Sequence, residues 1–108
     1  MRVREASSIR LSPTVQEFLR NPKNSPLVHR FEELSRELMR NRELGVKIPR
    51  RLWPKTYVRQ HGLRNLYKCD LGAKWRVLYT LIFEGAGISV VILDILTHKQ
   101  YDNRFGYS

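Results

Sequence analysis

Two long apolar stretches, Trp75–Phe83 and Ile88–Leu96, flank the short segment Glu84-Gly85-Ala86-Gly87, and this arrangement constrains the chain more than anything else in it. Residues rich in Val, Ile, Tyr and Leu on either side of a glycine-bearing link predict a β-hairpin. In the second stretch both alternating sets are apolar, Ile88, Val90 and Ile92 against Val91, Leu93 and Ile95. A strand of that kind is central and covered on both faces. Arg76, Glu84, two glycines and Asp94 interrupt the run from Trp75 to Leu96, which excludes a membrane span.

The remaining chain supplies the partners such a hairpin needs. Leu66–Leu71 reads as a third strand, joined to Trp75 through a turn at Gly72-Ala73, and Val3–Leu11 reads as an irregular edge strand. Ser12-Pro13 starts a short helix with Val15, Phe18 and Leu19 on one face, and Asn21-Pro22 ends it. Asn24-Ser25-Pro26 starts a second, on which Leu27, Val28, Phe31, Leu34, Leu38 and Met39 form an apolar stripe over four to five turns. Gly45 is placed to stop it. Between Val46 and Gly62, Pro49 and Pro54 interrupt a segment whose Leu52, Trp53, Tyr57 and Val58 call for burial, which predicts a partly ordered connection with one short extended piece. The order is β-α-α-β-β-β. It predicts a single α+β domain over residues 1–108, a two-helix hairpin packed on one side of a small, mostly antiparallel sheet.

Charge is unevenly spread over this framework. Twenty Lys and Arg against ten Asp and Glu give a net charge of +10, and a polyanion is the first partner such a balance suggests. From Gly45 to Cys69 there are seven basic residues, Lys47, Arg50, Arg51, Lys55, Arg59, Arg64 and Lys68, and no acidic one. The stretch Phe31–Glu43 instead mixes both signs, as a solvated helix face does. The regional excess points to a nucleic-acid-binding surface. With one cysteine the chain can form no intrachain disulfide or cysteine zinc site, and its N-terminus lacks the apolar stretch of a signal peptide, so a cytoplasmic protein is expected. His29, His61 and His98 have no metal-ligand spacing, and no glycine-rich phosphate loop is present, so neither metal nor cofactor is expected.

The chemistry concentrates at both ends of the hairpin. Alternation in Trp75-Arg76-Val77-Leu78-Tyr79 sets Arg76 beside Leu78 on a central strand, where a guanidinium is costly unless something satisfies it. It either pairs with Glu84 or Asp94, or reaches the rim, or presents a rigidly mounted fork to a phosphate. Across the Gly72-Ala73 turn, Lys68 and Asp70 fall near Arg76 and Leu78. Thr97-His98-Lys99-Gln100-Tyr101 leaves the last strand where it emerges from the core, and Arg104 follows. An imidazole there can donate or accept a proton at neutral pH.

The segments "NLYKCDLGAKWRVLYTL" and "ISVVILDILTHKQY" resemble the RelE/ParE superfamily of small basic toxins, with weaker similarity in "IRLSPTVQEFL". The resemblance implies the β-α-α-β-β-β fold. It also implies metal-independent endonucleolytic cleavage of mRNA, commonly on the ribosome, and a cognate antitoxin docking through an acidic or amphipathic segment. Carried over by position, Arg76 stabilises the phosphate with help from Lys68, while His98 or Lys99, with Tyr101 or Tyr107, handles protons or contacts the scissile phosphate. Lys47, Arg50, Arg51, Lys55, Arg59, Arg64 and Arg104 would hold the RNA. Asp70 stands where some nuclease members carry a second basic residue, and acts either as a base or as a neutralising charge. A ParE-like gyrase inhibitor and a non-catalytic RNA- or ribosome-binding protein are the alternatives.

Overall fold

The computed structural model describes residues 4–106. Five strands, β1 (Ser8–Leu11), β2 (Val46–Lys47), β3 (Tyr67–Leu71), β4 (Trp75–Glu84) and β5 (Gly87–Thr97), form one sheet in the order β1-β5-β4-β3-β2. Among the described residues only the β1–β5 pair is parallel, so the sheet is mixed and mostly antiparallel. The helices are α1 (Pro13–Arg20), α2 (Ser25–Arg40), α3 (Lys55–His61) and α4 (His98–Phe105). The class is α+β. The first strand is shorter than the expected Val3–Leu11, and Val3 lies outside the described residues.

The central hairpin forms because its two apolar faces are both used. On one face Val77, Tyr79, Leu81, Val90, Ile92 and Ile95 pack against Val15 of α1 and Phe31, Leu34 and Leu38 of α2. On the other, Leu78, Leu93 and Leu96 pack under Ile48, Trp53, Tyr57, Leu63, Leu66 and Tyr101. The expectation of helices on one side alone is therefore corrected: α1 and α2 cover one face, α3 and α4 the opposite one. A doubly apolar strand such as β5 requires this second layer.

Two segments supply it, and both differ from the sequence expectation. Between β2 and β3 the prolines open helical turns rather than break them. Pro49 precedes a 3₁₀ turn over Arg50–Leu52, and Pro54, with its pre-set φ, precedes α3. Gly62, at φ 59°, ends α3 in the left-handed conformation glycine permits. The C-terminal stretch forms a helix that the β-α-α-β-β-β order did not include. The Thr97 hydroxyl accepts from the Gln100 backbone N–H at 3.1 Å, and the Gln100 side chain accepts from the Thr97 N–H at 2.9 Å, a reciprocal capping box.

Gly45 does not stop α2, which ends at Arg40 with Asn41 as its cap. Its role is close approach. A Cβ there would lie 2.6 Å from the Lys68 carbonyl oxygen and 2.9 Å from the Tyr79 ring. The Gly45 N–H donates to the Tyr79 hydroxyl, which donates in turn to the Arg42 carbonyl, both at 2.9 Å. This clips the α2–β2 link to the sheet, beside the residues described next.

Candidate phosphate-binding site

Register brings the first pieces of the site together. In the β3–β4 ladder Lys68 pairs with Leu78 and Asp70 with Arg76, and in the β4–β5 ladder Arg76 pairs with Leu96. Lys68, Asp70 and Arg76 thus share the face that α4 covers at its end. Tyr101, on the second turn of α4, is only 1% exposed and brings its ring beneath both cations. The Arg76 Cζ lies 4.6 Å from the ring centroid and the Lys68 Nζ 5.2 Å. Phe105 stacks on the same ring at 4.3 Å. The negative π face attracts both cations, an arrangement that leaves them available to an anionic partner.

Arg76 is paired with neither Glu84 nor Asp94. Glu84 pairs with Arg10, and Asp94 with Arg104. Instead Arg76 Nε donates to Asp70 at 3.5 Å, leaving its terminal amino groups uncommitted to a carboxylate among the described residues. Its side chain is 21% exposed, against 67% for Asp70. A cleft of about 250 Å³, lined by Leu44, Gly45, Val46, Lys68, Cys69, Asp70 and Arg76, opens beside the pair. The Cys69 thiol is no nucleophile there: burial, reinforced by Asp70 and Glu37, pushes its pKa up to about 12.

The other candidate residues have separate places. His98 and Lys99 are exposed on the first turn of α4, two and three residues along from Leu96, the cross-strand partner of Arg76. Tyr101 contributes a buried ring to the floor rather than a surface hydroxyl, and Tyr107 lies outside the described residues. Lys47 on β2, Arg50 and Arg51 in the following turn, Lys55 and Arg59 on α3, and Arg64 before β3 are all exposed. Arg50 lies over the Trp53 ring at 5.0 Å. Arg104, grouped by sequence with these cations, is instead bound to Asp94 Oδ2 and to the Tyr57 hydroxyl, each at 3.0 Å.

That last cluster is what sequence reasoning missed. A β-bulge opposite Leu78 and Tyr79 adds Leu93 to β5, which turns Asp94 toward the α3–α4 layer. There the Tyr57 hydroxyl donates to Asp94, so α3, β5 and α4 meet at one carboxylate whose side chain is 13% exposed. Burial, followed by the hydrogen bond to Asp94, raises the Tyr57 pKa and keeps the phenol neutral. The network fixes α4 and hence the Tyr101 ring. A charge in an otherwise apolar strand was its available signal.

Among the described residues, no group of His, Cys, Asp and Glu is arranged to hold a metal ion, and no helix is long and apolar enough to cross a membrane. Comparison with known protein families, with characterised proteins and with solved structures gives no match to this chain.

Proposed function

We propose that the chain is a RelE-like toxin: a metal-independent endoribonuclease that cleaves mRNA, associated with the ribosome in the cytoplasm and held in check by a cognate antitoxin. The supporting observation is the convergence of Arg76 and Lys68 over the Tyr101 ring at the edge of an open cleft. Strand mounting and a buried aromatic floor restrain two cations, and such charges at a phosphate gaining negative charge would supply electrostatic stabilisation.

In the reaction the ribose 2′ oxygen forms a bond to phosphorus as the P–O5′ bond breaks. The 2′-hydroxyl proton leaves to a base, the O5′ leaving group takes up a proton, and the products are a 2′,3′-cyclic phosphate and a 5′-hydroxyl. Arg76 and Lys68 stabilise the pentacoordinate phosphate. The carboxylate of Asp70, more exposed than the arginine it accompanies, is the candidate acceptor of the 2′-hydroxyl proton. His98, at the exposed start of α4, is the candidate donor to the leaving oxygen, with Lys99 as a further cation. The exposed Lys47, Arg50, Arg51, Lys55, Arg59 and Arg64 hold the RNA backbone.

The test is a translating extract to which purified protein is added, run beside a plasmid-supercoiling assay with gyrase. Fragments of mRNA ending in cyclic phosphate, with supercoiling unchanged, are expected. Intact mRNA with altered supercoiling would assign the chain to the gyrase-inhibiting class, and intact mRNA with salt-sensitive RNA affinity alone would make it a binder.

A further inference from the structure

A second cavity, larger than the cleft at Arg76, lies elsewhere on the sheet. It is a groove of about 710 Å³ along the other end of β4, and Lys47, His61, Arg64, Asn65, Ile82 and Phe83 are among its walls. It exists because β3 begins at Tyr67, opposite Tyr79, so among the described residues positions 80–84 of β4 have no strand neighbour on that side. The Asn65 side chain takes the place of one. Its amide accepts from the Leu81 N–H at 2.7 Å and donates to the Leu81 carbonyl at 2.9 Å, while the Thr80 hydroxyl donates to it at 2.8 Å. The floor is therefore rigid, and its one side-chain amide is engaged in holding the strand.

The walls combine two features that a merely structural edge does not need. Phe83 is 70% exposed and Ile82 39%, the former the most exposed large apolar side chain described. Lys47 and Arg64 line the same groove and are exposed, and among the described residues no carboxylate lines it. An aromatic ring in water on a rigid strand, in a groove that also holds two exposed cations, matches a single-stranded nucleic acid that stacks a base on the ring and sets phosphates on the cations. Burial holds the His61 pKa below its ordinary value, so the imidazole is a neutral wall at pH 7. With the Asn65 amide engaged, stacking rather than edge recognition would dominate, which makes the site tolerant of sequence.

We infer that this groove is a second RNA subsite, in which Phe83 stacks on a base and Lys47 and Arg64 contact the flanking phosphates. The inference rests on the ribonuclease reading for its role, since it would hold the same strand that is cut at Arg76. Phe83 lies seven residues along β4 from Arg76, about 23 Å of strand, so the held base lies several nucleotides from the scissile bond. β2 stands between the two, with Val46 lining the cleft and Lys47 the groove.

The test measures binding of a fluorescein-labelled, uncleavable 2′-O-methyl RNA decamer to the full chain by anisotropy, with sedimentation of the same samples. Phe83→Ala should weaken binding roughly 5- to 150-fold, and Phe83→Trp should restore it. Lys47→Ala and Arg64→Ala should each flatten the salt dependence by about 0.7 in the log–log slope. Affinity for Phe83→Ala within about twofold of wild type overturns the subsite. So does a wild-type dimer that Phe83→Ala dissociates without loss of RNA affinity, because the face is then a protein interface. The probe cannot be cut, so this result is independent of catalysis: intact mRNA in the extract defeats the ribonuclease reading, and an unmoved anisotropy defeats the groove.

Discussion

Replacing Tyr57 by Phe removes a single oxygen from the layer that carries α4, and the structure gives its consequence. That hydroxyl donates to Asp94 and accepts from Arg104 Nη1 at 3.0 Å. Hydrogen bonds to charged groups contribute about 1.5–3 kcal/mol each. The Asp94 side chain is 13% exposed, so water replaces the lost donor poorly, whereas Arg104, at 39%, regains solvent and its share is screened. The net loss is then that of the Asp94 bond, about 2 kcal/mol. For a domain of this size that lowers the melting temperature by about 10 °C. Thermal denaturation followed by circular dichroism reads it directly. A double-mutant cycle of Tyr57→Phe with Asp94→Asn separates the pair from incidental packing, and should return a coupling of about 1–2 kcal/mol. A Tyr57→Phe melting temperature within about 2 °C of wild type, with no coupling to Asp94, would refute the view that this carboxylate ties α3 and α4 to the sheet.

Two other perturbations probe the same framework. Gly45→Ala places a methyl group against the Lys68 carbonyl and the buried Tyr79 ring, neither of which can yield freely, so a loss of about 1–3 kcal/mol is expected in urea denaturation, and an unchanged midpoint would contradict the close approach. His61 lies edge-on to Tyr57 at 5.4 Å, and burial lowers its pKa against an opposing pull from Asp94. The unfolded chain therefore binds more protons than the folded one below about pH 6.5, and stability complete above that value falls as the pH drops toward 5. His61→Asn should show a smaller fall in melting temperature over that interval than wild type.

Legibility in the sequence followed the period of the pattern. The α2 stripe and the three long strands were readable because each buries one or two whole faces, and the pairing of Lys68 and Asp70 with Leu78 and Arg76 followed from one short turn. The second layer was not read, because its signals are local and chemical rather than periodic. Pro54 starts α3 in a stretch of only seven residues, too short for an apolar stripe, and the Thr97–Gln100 capping box lies in a stretch whose polar residues were read for their chemistry. For the site, sequence located the cations but not their common floor. Tyr101 was legible as a reactive phenol; the helix that buries it converts it to a ring beneath Arg76 and Lys68. Arg104 looked like one more free cation until the β5 bulge turned Asp94 toward it.

The central claim is that Arg76 stabilises a phosphate during cleavage, and the single-turnover rate of mRNA cutting by Arg76→Ala tests it most directly. The guanidinium rests on the Tyr101 ring and beside the largely exposed Asp70, so its removal should leave the fold intact. Loss of a pre-organised charge at the reacting group should slow cutting by about 10²–10³-fold. Affinity for the uncleavable RNA should fall far less. A cutting rate within about tenfold of wild type would place the reacting phosphate elsewhere and contradict the account.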